Sequence, residues 1–159
     1  MTDHDAGTIL IAYDGSDAAR NAIAQAGLVF PRGRAVVATV WRSLAEAAGV
    51  ARAAMPDAII TEAVDQLNAA AEGEAARVAE EGCELARAAG LDASPRTLGA
   101  DGSVWTALVR FAHDTEPRAV VVGSRGRSAL RSAVLGGVSN AVVHHCRRPV
   151  LVVHPADEP

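Results

Sequence analysis

Gly123, Gly126, Gly136 and Gly137 fall in one stretch of the chain, with Ser124, Ser128 and Ser139 between or beside them. Glycine tolerates positive φ and lets a ligand approach main-chain N–H groups with no Cβ in the way. The amphipathic run from Gly137 predicts a helix, whose first N–H groups are unpaired and lie at the positive end of its dipole. Such groups suit a phosphate. The cradle would run from Gly123 through Ser124, Arg125, Gly126 and Arg127 to Ser128, and resume with Gly136, Gly137, Val138 and Ser139. The same glycines would also serve as plain tight turns between packed elements, and the two arginines as surface charge.

A second group with chemical potential stands near the other end of the chain. The apolar run Ile9-Leu10-Ile11-Ala12-Tyr13 ends in Asp14-Gly15-Ser16. Asp14 or Ser16 would cap the following helix. Alternatively, Asp14 would sit at the carboxyl end of a central strand, where open α/β sheets bind ligands.

These groups need a framework that brings them together. Apolar runs predict strands at Thr8–Tyr13, Arg34–Trp41, Ala119–Val122 and Val150–Val153, with a weaker edge strand at Ala93–Leu98 that contains Pro95. Helices are predicted from Ser16 to about Gly27 and from Ser103 through Ala112, and a long one from Asp57 to Gly90. In the long helix Ile60, Val64, Leu67, Ala71, Ala75, Val78, Leu85 and Ala89 form the apolar stripe. Gly73 and Gly82 should weaken it. Ser43–Pro56 shows no clear period and reads as an excursion over the sheet's carboxyl edge.

Strand and helix alternate throughout. Right-handed crossovers then give an α/β fold, a doubly wound five-stranded parallel sheet in the order 3-2-1-4-5 with helices on both faces. In that order the first and fourth strands meet at the topological switch point, so Asp14 and the glycine loop converge on one crevice.

Gly123-x2-Gly126-x9-Gly136, the short helix and the Pro149-Val-Leu-Val-Val153 strand that follow, and the Asp14-Gly15-Ser16 turn resemble the universal stress protein family over about residues 8–154. The resemblance implies a Rossmann-like fold akin to the adenine nucleotide alpha hydrolases. It implies a homodimer paired through Val150–Val153, and a stress-response module that binds ATP or another adenine nucleotide, with magnesium a candidate companion of the phosphates. Ala12, Asp14 and Val40 would then hold base and ribose, although Val40 also reads as ordinary core. The sequence departs from the ATP-binding pattern at Gly137, where that branch carries Ser or Thr. A lost hydrogen bond to a charged group weakens binding by about ten- to a hundredfold. Ser139 is a candidate replacement, and a nucleotide-free dimeric scaffold is the competing reading.

With 159 residues, the expectation is one domain, its core about 8–154 between short tails at 1–7 and 155–159. The formal charge of −4 argues against nucleic-acid and anionic-membrane partners. No lysine occurs, which excludes a P-loop and any lysine nucleophile. Neither a signal peptide nor a spanning apolar run is visible, and Cys83 and Cys146 read as reduced thiols, so a cytoplasmic protein is expected. No general base stands near the loop, no catalytic or metal-ligating residue is assigned, and at most slow ATP hydrolysis is expected.

Overall fold

A computed structural model describes residues 7–44, 57–126 and 135–155. The elements are β1 (Ile9–Ala12), α1 (Asp17–Val29), β2 (Arg34–Arg42), α2 (Asp57–Ala88), β3 (Asp92–Ala100), α3 (Val104–Thr115), β4 (Ala119–Gly123), α4 (Gly137–His145) and β5 (Val150–Val153). They form one five-stranded sheet in the order β3-β2-β1-β4-β5, and the strand pairs are parallel. This is the expected doubly wound fold.

Strands buried on both faces explain the unbroken apolar runs. Along β1 and β4, Ile9, Ile11, Ala119 and Val121 pack under α1 and α2 with Ile23, Val78, Cys83 and Ala86. Leu10, Val120 and Val122 point to the other face, where Leu108 and Ala112 of α3 and Val142 of α4 cover them. Aliphatic side chains supply nearly all of this volume.

β3 is longer than its sequence suggests, Asp92–Ala100 rather than Ala93–Leu98, because all nine of its residues pair with β2. It is an edge strand, and Pro95 sits within it opposite Val37. The long helix holds together through 32 residues, but two expectations about it need correction. Leu67 is not in the buried stripe; it is 56 % exposed. A helix of this length spans about 48 Å, well over the roughly 30 Å of a nine-residue strand, so its early turns have less sheet beneath them. Nor is Gly82 a mere weak point. A Cβ there would lie 2.7 Å from Tyr13 Cδ1 and 2.8 Å from Val37 Cγ1, so glycine is what lets α2 lie close on the sheet. The excursion expected at 43–56 lies outside the described residues after Leu44, as do the tails at 1–6 and 156–159.

Candidate functional site

At the carboxyl end of β1 the chain turns sharply at Gly15, whose φ of +79° favours glycine. Asp14 Oδ1 accepts the Ser16 N–H at 3.0 Å, and Ser16 Oγ accepts the Ala19 N–H at 3.2 Å. Ser16 is therefore the cap of α1, and Asp14 shapes the turn that leads into it.

The switch point between β1 and β4 opens into a crevice of about 470 Å³. Ala12, Ala38, Val40, Val122, Val104 and Leu108 give it apolar walls. Asp14, Gly123, Arg125, Gly126 and the start of α4, Gly136 to Ser139, line the rest. The two motifs do meet: a Cβ on Gly126 would lie 3.0 Å from Asp14 Oδ2.

The two described edges of the glycine loop are clamped together. The Ser124 carbonyl accepts the Gly136 N–H at 2.6 Å and the Ser139 hydroxyl at 2.9 Å, while Ser124 N–H donates to the Val153 carbonyl at 2.7 Å. No side chain caps α4 at Gly136. The N–H groups of Gly137, Val138 and Ser139 therefore have no acceptor within the helix and face the dipole's positive end outward. Arg125 Nε is buried with no hydrogen-bond partner among the described residues. Orphaned donors of this kind beside an open cavity fit an anionic group.

Several predicted residues take roles other than those expected. Ser124 is fully buried and is not among the residues that line the crevice; its contribution is the main-chain clamp. Ser139 lines the crevice, but it is 3 % exposed and its hydroxyl lies within reach of the Ser124 and Gly136 carbonyls. Its proton is held by the loop, so it does not replace the hydroxyl missing at Gly137. A Cβ on Gly137 would meet nothing within 4 Å. Gly123 lines the cavity and also presses on α1, where a Cβ would lie 2.9 Å from the Ala18 backbone. Arg127 and Ser128 lie outside the described residues.

The crevice also includes residues not expected from sequence: Tyr13, Ala38 and Val122 along the sheet, and Arg42, Val104, Leu108 and Leu135 around them. Arg42 is two residues beyond Val40, and a period of two along β2 would have placed both on one face. The Val104 and Leu108 pair shows the four-residue spacing of a helix face.

Behind the crevice, Tyr13 turns its ring into the layer under α2. Its hydroxyl donates to Glu81 Oε1 at 2.7 Å, and Arg20 Nη2 reaches the same oxygen at 2.5 Å. Burial, then the bond to Glu81, pushes the phenol up to about 12. The Tyr13 hydroxyl, ahead of Arg20, holds the Glu81 carboxyl below its ordinary range. Among the described residues no cluster of three acidic, His or Cys side chains could hold a metal, and no helix is long and apolar enough to cross a membrane.

The model of the universal stress protein family matches residues 6–154. Solved structures of similar architecture include a universal stress protein from Archaeoglobus fulgidus, with 20% identity, a TM-score of 0.66, and 92% of this chain and 98% of that one covered. A universal stress protein in complex with cAMP has 23% identity and a TM-score of 0.62, over 94% and 98% of the two chains. A further Archaeoglobus fulgidus structure, in complex with dAMP, has 18% identity and a TM-score of 0.59, over 92% and 97%. At these identities the likeness establishes the fold.

Proposed function

We propose that this chain, which belongs to the universal stress protein family, binds an adenine nucleotide such as ATP between β1 and β4 and acts through occupancy rather than turnover. The observation that carries the reading is the single crevice that joins the tip of β1, the glycine loop and the uncapped start of α4. In this reading Ala12, Val40, Val104 and Leu108 enclose the base and Asp14 accepts from a ribose hydroxyl. Arg125, Gly126 and the free N–H groups of Gly137, Val138 and Ser139 hold the phosphates. Two relatives of the same fold were solved with cAMP and dAMP, which supports an adenine nucleotide as the ligand class. Asp14 is the acidic side chain among the described lining residues, so magnesium would arrive on the phosphates rather than at a protein cage.

We read the active form as a cytoplasmic homodimer paired along β5, a stress-response module whose partner surface responds to occupancy. A nucleotide-free dimeric scaffold is the second reading, favoured by the absence of a hydroxyl at Gly137 and the engagement of Ser139.

Isothermal titration with ATP and magnesium separates the two, once the purified protein has been checked for carried-over nucleotide. The expected result is micromolar binding that disappears in Gly126→Ala, whose methyl would crowd Asp14 at 3.0 Å. Silence up to millimolar ATP, with no co-purified nucleotide, overturns the nucleotide reading.

A further inference from the structure

Arg42 is a cation on the crevice that the phosphate cradle does not use. It lies across β1 from the glycine loop, since β2 and β4 flank β1 in the sheet. Its backbone is fixed: Arg42 pairs with Ala100 of β3, and the next N–H, of Ser43, donates to the Ala100 carbonyl at 3.0 Å. Ala12 pairs with Ala38, and the Tyr13 N–H donates to the Ala38 carbonyl at 2.9 Å. The chain therefore leaves β1 at Asp14 beside Val40, with Arg42 one pleat further out on the Val40 face. The side chain is exposed and makes no hydrogen bond or ion pair with the described residues.

A carboxylate and a guanidinium thus stand at neighbouring strand ends on the base-and-ribose side of the crevice. A carboxylate accepts from a free ribose hydroxyl, whereas an arginine in the same place accommodates a ribose phosphate. The guanidinium has donors only and matches phosphate oxygens two at a time. A ribose with one free hydroxyl and one phosphorylated one satisfies both groups.

We propose that Arg42 selects an adenine nucleotide that carries a second phosphoryl group on its ribose, at the 2′ or 3′ oxygen. This rests on the nucleotide reading of the crevice and adds to it the class of nucleotide.

The test is titration of the wild-type protein and of Arg42→Gln with AMP, adenosine 2′,5′-bisphosphate and adenosine 3′,5′-bisphosphate. One bisphosphate should bind the wild type at least about tenfold tighter than AMP, and which one identifies the oxygen. Arg42→Gln should bring that bisphosphate down to the affinity of AMP. Because the cation is exposed, added salt should shrink the preference. AMP binding with neither bisphosphate tighter overturns the inference alone, as does a preference that survives in Arg42→Gln. If none of the three binds while ATP does, the inference fails alone; if ATP is silent as well, the nucleotide reading fails and the inference with it.

Discussion

A Cβ built on Gly137 meets no heavy atom within 4 Å, so a serine there would stand in open space in the first turn of α4. Its hydroxyl would join the free N–H groups at the crevice without disturbing the clamp between Ser124 and Gly136. We expect Gly137→Ser to raise ATP affinity by about ten- to a hundredfold, the worth of one hydrogen bond to a charged group. Titration calorimetry checks it; an unchanged affinity would mean that the phosphates stop short of α4. Tyr13 offers a test of a different kind. A phenol whose pKa is higher in the folded chain adds stability below its unfolded value and loses it as pH rises through the folded one. For Tyr13 that window runs from about 10 to about 12. The chain has one tyrosine and no lysine, so few other groups titrate there. The buried Cys83 thiol, pushed up by burial to about 11, is the neighbour to allow for. Melting temperatures from pH 9 to pH 12 should fall steeply for the wild type and less steeply above pH 10 for Tyr13→Phe. Equal slopes would show that the phenol is not the titrating group.

Within α2, two glycines that look alike in sequence behave oppositely. Gly73 is exposed and a Cβ there would meet nothing, so Gly73→Ala should stabilise by about 0.5–1 kcal/mol through backbone entropy alone. Gly82→Ala would gain the same propensity, but its methyl would collide with the Tyr13 ring and Val37. Overpacking of this kind costs about 1–3 kcal/mol, so a net loss is expected. Urea unfolding of both variants decides; stabilisation by Gly82→Ala would show that α2 can lift off the sheet at little cost. The contrast marks a limit of reading elements from sequence. A helical stripe identifies α2 and its length, because periodicity is local. Which of its glycines touches the sheet depends on how the helix lies on β1 and β2. The same holds for the exposed Leu67, which keeps the stripe's spacing in a turn that has less sheet beneath it.

Across the whole molecule, strand order was legible because alternating strands and helices with right-handed crossovers leave few ways to assemble a parallel sheet. The meeting of Asp14 with the glycine loop followed from that order. The faces of side chains did not: Ser124 turns inward, Ser139 serves the clamp, and Arg42 reaches the crevice only because β2 runs on to residue 42 in full register with β3. β5 is a sheet edge. The Pro149 and Val153 carbonyls accept from Val120 and Ser124 N–H, so in a parallel ladder Val150 and Val152 turn their own polar groups outward. Val152→Pro would remove one outward N–H while leaving the pairing to β4. Size-exclusion chromatography with light scattering should find a wild-type dimer and a Val152→Pro monomer; a dimeric variant would move the interface away from β5.

The crevice is walled by α3 on one side and α4 on the other, and these two helices carry a stacked pair, Trp105 and His145, with ring centroids 4.6 Å apart and planes 18° from parallel. Indole emission responds to an imidazole stacked on its face, so the emission of Trp105 depends on how far apart the two rings stand. The molecule therefore carries its own optical gauge of the contact between α3 and the end of α4. The other tryptophan, Trp41, stands on β2 between Val40 and Arg42 of the crevice lining, so a Trp41→Phe variant isolates the Trp105 signal, by which a ligand that spreads or closes the helices can be followed without any added label.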